Sequence, residues 1–173
     1  MDSSEMITAQ ILYQDEILRY GRKPNNFGVL EDANVEMQGD SPICGDHMRI
    51  YLRVHSDYID DIRFSSSACC ALCMASSSMM TDAIKGLSIS NARNLRIRFL
   101  ALIAGEGEAD AAPIHDLGNL RVFKRIRDVP SRIECVSLAW NTLDKMLIKA
   151  SSSKSEDLVE LTILTRRLKC VLL

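Results

Sequence analysis

Between His47 and His55 the apolar positions alternate without a break, with Met48, Ile50, Leu52 and Val54 on one side and His47, Arg49, Tyr51, Arg53 and His55 on the other. A period of two predicts a strand with one face on a core and the other toward water. His55-Ser56-Asp57 then turns the chain, and Tyr58, Ile62 and Phe64 line one face of a partner strand, so the two form a hairpin. Asn34 to Gln38 is a shorter strand candidate, followed by a turn at Gly39-Asp40-Ser41-Pro42 that leads to Ile43-Cys44-Gly45-Asp46.

Elsewhere the period is helical. Ile7, Ile11, Leu12, Ile17 and Leu18 predict an amphipathic helix from Ser4 to Gly21, closed by Gly21 and the Lys23-Pro24-Asn25-Asn26 loop. Ala75, Met79, Met80, Ala83, Ile84 and Leu87 share one face of a second helix, and Ser90 to Ala104 reads as a third, ended at Gly105. Glu108 to Arg127, interrupted by Pro113 and Gly118, reads as a loop with short helical turns. Pro130-Ser131-Arg132 leads into a helix striped by Val136, Ala139, Trp140, Leu143 and Leu147. Ala150 to Ser155 has the composition of a linker, and Leu158, Leu161, Leu164, Leu168 and Leu172 stripe a terminal helix. The expected organisation is one domain over residues 1–150 and a C-terminal helical extension over 151–173. The expected class is α+β, a small three-stranded antiparallel sheet covered by helices on one face.

Composition narrows the partners more than the fold. With 173 residues, 47% hydrophobic and 25% charged, the chain can bury one core. Lys plus Arg is 21 against 23 Asp plus Glu, so a net charge of −2 gives no reason to expect nucleic acid or a membrane surface. No run approaches the roughly 20 apolar residues of a membrane span, and the acidic start Met1-Asp2-Ser3-Ser4-Glu5 is not followed by an apolar signal core. The expected compartment is therefore the cytoplasm. Six cysteines kept reduced there point to metal or sulfur chemistry rather than to a disulfide framework.

Those cysteines carry the candidate chemistry. Cys69, Cys70 and Cys73 crowd the start of the second helix, where unpaired backbone N–H groups and the helix dipole favour a thiolate. Cys135 stands at another predicted helix start, and Cys44 lies in a tight loop with Asp46 two residues on. Three thiolates and a carboxylate complete a tetrahedral site of the kind zinc accepts. Cys73 reads as a buried spectator and Cys170 as a core thiol. His47, on the polar face of its strand, reads as a surface group, and neither His55 nor His115 has a partner that can be named. There is no phosphate-binding glycine loop, no Ser-His-Asp order and no paired-carboxylate site.

At this point the residues carry a resemblance. Ser41-Pro42-Ile43-Cys44-Gly45-Asp46, Cys70 ahead of Met74-Ala75-Ser76-Ser77-Ser78-Met79-Met80, and Pro130-Ser131-Arg132-Ile133-Glu134-Cys135 running on to Leu138-Ala139-Trp140 resemble the U-type iron–sulfur cluster assembly family. Leu12-Tyr13 through Tyr20 and Pro24-Asn25-Asn26-Phe27-Gly28 are similar to that family's first helix and loop, and the likeness extends from about Ile7 to Leu147. Glu134 stands where the IscU-type scaffold has a histidine, and no Leu-Pro-Pro-Val-Lys motif is present, so the likeness is to the SUF-system branch, SufU. That resemblance implies a zinc-dependent acceptor of persulfide sulfur from a SufS-like, pyridoxal-phosphate cysteine desulfurase. It would be an accessory protein rather than a stand-alone enzyme, passing sulfur toward downstream iron–sulfur assembly proteins. It also implies Cys44, Asp46, Cys70 and Cys135 as metal ligands, with Cys44 as sulfur acceptor and Arg132 as a possible support. The alternative is a scaffold that builds a [2Fe-2S] cluster on the same residues.

The register at the middle cysteine stays open. The family's glycine-rich approach is Ser65-Ser66-Ser67-Ala68 here, with one extra residue between Phe64 and Met74. Counting back from the helix selects Cys70, and counting forward from the strand selects Cys69.

Overall fold

The computed structural model describes residues 15–105 and 114–151. In chain order the elements are α1 (Asp15–Arg22), β1 (Val35–Asp40), β2 (His47–His55), β3 (Tyr58–Ala68), α2 (Ala71–Ile84), α3 (Ile89–Ala104), 3-10 segments at Ile114–Asp128 and Pro130–Arg132, and α4 over residues 133–151. The strands form one antiparallel sheet in the order β1-β2-β3, so the expected α+β class and three-stranded sheet are what is found.

The alternation in β2 does what its period requires. Met48, Ile50 and Leu52 are fully buried, while the other face carries exposed pairs: Arg49 with Glu36 at 3.5 Å, Arg53 with Asp32, and His47 with Asp40. Tyr51 departs from that face's polarity, being buried with its hydroxyl 3.3 Å from Ser65 Oγ.

Two irregularities in β3 were not foreseen. Arg53 pairs with Asp61 and Val54 with Ile59, which leaves Asp60 as an extra residue. A bulge reverses the in-and-out alternation beyond it, so Ile59 enters the core with Ile62 and Phe64, and Tyr58, expected inside, is 57% exposed. At the far end His47 pairs with Ala68 and Met48 with Ser66, which bulges Ser67. The residue that upset the count between Phe64 and Met74 is thus absorbed at the strand's end. β1 also runs two residues further than expected, taking Gly39 and Asp40 out of the turn and into the ladder.

The core lies between the sheet and the helices. α2 was expected to bury one face, yet it is enclosed nearly all round, with Leu72, Cys73, Ala75, Met79, Met80 and Ile84 buried together with Ser76, Ser77, Ser78 and Thr81. Small hydroxyls make that possible because each finds a partner. Ser76 Oγ donates to the Val136 carbonyl (2.6 Å) and accepts from Trp140 Nε1 (3.1 Å), Ser77 Oγ donates to the Cys73 carbonyl (2.7 Å), and Ser78 Oγ accepts from the Asn25 amide (2.7 Å). Trp140 stacks on Phe99 at 4.4 Å, and Phe99 meets Phe123 edge-on at 5.8 Å, which joins α4, α3 and the 3-10 segment.

Helix ends follow their chemistry. Ser88 caps α3 by accepting from the Asn91 amide, and Gly105 closes it in the left-handed conformation. Gly21, expected to close the first helix, instead lies within α1, where an added Cβ would stand 2.9 Å from the Ala71 carbonyl oxygen. It is a point of close approach between α1 and α2. The stretch after Pro113, expected as a loop with short helical turns, is a run of 3-10 turns bent at Gly118. α4 continues through residue 151, with Ala150 buried, so the serine run does not begin as a linker. Ile7, Ile11 and Leu12, and the terminal leucine stripe with Cys170, lie outside the described residues.

Candidate metal and thiol site

Three separate elements deliver the candidate ligands to one end of the sheet. The loop between β1 and β2 folds back on itself: Ser41 and Asp46 exchange a backbone bond (Ser41 N–H to Asp46 O, 2.9 Å), and the Gly45 amide donates to the Ser41 carbonyl at 2.9 Å. Gly45 takes φ +72°, a conformation that disfavours a side chain, and this turn presents Cys44 outward. Cys44 is exposed, next to Ile43 at 76% exposure, whereas Asp46 is buried. Cys70 is the N-cap of α2, and Cys135, 1% exposed, sits in the first turn of α4.

The ligand atoms of Cys44, Asp46 and Cys135 all lie within 4.8 Å of one another. Cys70 joins this group through Asp46. Its amide donates to Asp46 Oδ1 at 2.9 Å, its Sγ stands 3.4 Å from Oδ2, and its thiol neighbours that of Cys135. Cys69 and Cys73 are placed differently. Their sulfurs are 2.9 Å apart, and with Asp46 they form a second trio within 4.8 Å; Cys73 is buried, as expected. His47 is engaged with Asp40, His55 is exposed at the hairpin turn, and Arg132 lies in the exposed turn before α4.

Electrostatics correct one expectation. Cys70 was expected to gain thiolate character from its position at a helix start. The Cys73 amide does donate to its sulfur at 3.5 Å, but burial outweighs that bond and, with the Asp46 carboxylate beside it, pushes the Cys70 thiol up. Burial, then the neighbouring Cys70 charge, pushes Cys135 well up too. Cys69 moves the other way, drawn down by the hydrogen bond from Cys73. Thiols gathered beside a carboxylate are donors that suit a divalent cation, which must displace the protons held on Cys70 and Cys135.

Sequence reasoning missed a tether within the site. Ser41 Oγ donates to Glu134 Oε1 at 3.0 Å and accepts from the Cys44 amide at 3.3 Å, which links the Cys44 loop to the turn of α4 that carries Cys135. Its signal was the polar pair itself, Ser41 and Glu134, each placed within three residues of a candidate cysteine.

Comparison with known proteins agrees with this architecture. Residues 12–111 match the NifU-like N terminal domain. The chain is 34% identical to the zinc-dependent sulfurtransferase SufU of Bacillus subtilis, over 80% of this chain and 90% of that protein. It is 29% identical to the iron-sulfur cluster assembly scaffold protein IscU of Streptococcus pyogenes, over 83% and 87%. Among solved structures, FiSufU of Fervidobacterium islandicum superimposes with a TM-score of 0.73 at 25% identity, covering 80% of this chain and 98% of the other. A NifU-like N-terminal domain from Brucella abortus shares the fold with a TM-score of 0.74. By sequence and by fold, the chain belongs to the NifU-like N-terminal domain family.

Proposed function

We propose that this protein is a zinc-dependent sulfur acceptor in iron–sulfur cluster assembly, taking sulfane sulfur from a cysteine desulfurase onto Cys44. The observation that carries the reading is the asymmetry of the site. Asp46 and Cys135 are buried, Cys70 is half-buried, and Cys44 alone of the four is exposed, on a glycine turn beside the exposed Ile43. Three sulfurs and one carboxylate fit the donor preferences of zinc. Zinc, when bound by Cys44, Asp46, Cys70 and Cys135, would hold the thiols as thiolates and mask them until a donor docks.

The chain's own residues then have defined tasks. Ser41 and Glu134 hold the Cys44 loop against α4, Gly45 lets it swing, and Arg132 stands three residues before Cys135 to meet charge brought by a partner. In the transfer, the Cys44 sulfur attacks the sulfane sulfur of the donor persulfide. A new S–S bond forms as the donor's own S–S bond breaks, and the donor cysteine leaves as a thiolate, so no net oxidation occurs. Cytoplasmic placement accords with this role, and no helix among the described residues is long and apolar enough to cross a membrane.

The relatives named as IscU scaffolds favour a second reading, in which the same four residues hold a [2Fe-2S] cluster in transit. Anaerobic purification followed by metal analysis and an absorption spectrum separates the two. A colourless protein with one equivalent of zinc, whose Cys44→Ala variant no longer accepts sulfur in a desulfurase assay, supports the acceptor. A brown protein that passes its cluster to an apo-ferredoxin supports the scaffold. Undiminished sulfur acceptance by Cys44→Ala would overturn the assignment of the acceptor thiol.

A further inference from the structure

The thiols at this end of the molecule fall into two groups, and only one is used above. Cys135 neighbours Cys44 and Cys70, whereas Cys69 and Cys73 face each other at 2.9 Å. Two sulfurs bound at 2.3 Å to one tetrahedral zinc would stand about 3.7 Å apart, so this pair is closer than a shared ion would hold it. A disulfide needs about 2.0 Å, so closure brings the two sulfurs about 0.9 Å nearer. Cys69 is half-buried just past the end of β3, with its Sγ 3.6 Å from the His47 carbonyl oxygen. Cys73 is buried in the first turn of α2, where its carbonyl accepts from Ser77 Oγ.

We propose that Cys69 and Cys73 form a redox-active dithiol, a modification site separate from Cys44, Asp46, Cys70 and Cys135, which a hydroperoxide closes to a disulfide. Cys69, the more accessible of the two, attacks the peroxide. The O–O bond breaks, leaving a sulfenic acid on Cys69 and releasing an alcohol, or water from hydrogen peroxide. The Cys73 sulfur then attacks the sulfenic sulfur, the S–S bond forms, and water leaves with the Cys73 proton. The two sulfurs have supplied two electrons to the peroxide, and no further reductant is required. Closure staples the end of β3 to the first turn of α2 around Cys70 without consuming Cys70 or Cys44. Oxidation then falls on a pair that a dithiol can restore.

The test uses the full zinc-loaded chain, treated with hydrogen peroxide and digested with trypsin. Residues 64–85 form one tryptic peptide holding Cys69, Cys70 and Cys73. The expected result is the loss of two hydrogens from this peptide, a bond that fragmentation places between Cys69 and Cys73, and reversal by dithiothreitol. Cys69→Ser and Cys73→Ala should each abolish it while keeping the zinc content and the thermal transition of the unaltered protein. A peptide that retains three free thiols, a bond that includes Cys70, or loss of zinc in Cys69→Ser would overturn the proposal. Failure of the sulfur-acceptor reading is seen in a different assay and leaves this readout intact.

Discussion

Asp46 is the residue on which the two thiol groups converge. One carboxylate oxygen accepts the Cys70 amide at 2.9 Å while the other stands 3.4 Å from the Cys70 sulfur. Asn in its place keeps one acceptor and removes the charge, so Asp46→Asn should lower zinc affinity by about tenfold or more and leave the fold intact. Competition with a chromogenic chelator measures this, and an unchanged affinity would remove Asp46 from the ligand set. Ser76 poses the same kind of question in the core. It serves both the Val136 carbonyl and Trp140 Nε1, so Ser76→Ala leaves the buried Trp140 Nε1–H without its acceptor. The expected cost is about 1–3 kcal/mol in chemical denaturation, although the side chain removed is only a hydroxyl.

Among the elements, β1 and α4 meet at Gly39, where an added Cβ would collide with the Thr142 hydroxyl. Thr142 is buried and donates to the Leu138 carbonyl at 2.9 Å, so it is not free to move aside. Gly39→Ala should therefore destabilise the protein by about 1–3 kcal/mol, and pairing it with Thr142→Ala should recover part of that loss. At the other end of the sheet Lys85, which follows α2, donates to Asp61 of β3 at 2.7 Å. Burial works to raise the Asp61 carboxyl, but the bonds from Lys85 and from the Ile62 amide outweigh it and hold it below 3.8. A depressed folded pKa contributes stability that is present above 3.8 and lost as pH falls through the folded value. Lys85→Ala should thus be less stable than the unaltered protein near neutral pH, by under about 1 kcal/mol. The gap should close in acid, and parallel denaturation curves at pH 7 and in strong acid would reveal a gap that failed to do so.

For the molecule as a whole, the proposed metal would join the β1–β2 loop, the start of α2 and the start of α4 and act as a staple between distant segments. Binding to the folded chain alone raises its stability by about 2.7 kcal/mol when free zinc is a hundredfold above its dissociation constant. Stripping the protein with a chelator should accordingly lower the melting temperature, and added zinc should restore it. Because Cys70 and Cys135 hold their protons more firmly than ordinary thiols, zinc bound as proposed would have to release them, and its binding should weaken as pH falls. Calorimetry in buffers of different ionisation enthalpy reads that release directly, and a pH-independent affinity would speak against thiolate ligation.

Local pattern settled a good deal before any tertiary contact was known. The alternation of Met48, Ile50 and Leu52 determined the central strand and its buried face, and Gly105 marked the end of α3, because strand period and helix ends are local properties. The order of Cys44, Asp46, Cys70 and Cys135 carried the family likeness for the same reason. What only the folded chain decided was wherever a long-range neighbour outweighed the local rule. α2 is buried nearly all round because its serines find partners, Ser76 and Ser78 on other segments, and Gly21 packs rather than terminates because α2 lies against it. The Cys70 thiol is raised rather than lowered because burial exceeds the pull of the helix start. The division of the thiols into one group around Cys135 and one pair at Cys69 and Cys73 belongs here as well. It lies just beyond a one-residue bulge at Ser67, which only strand pairing could place.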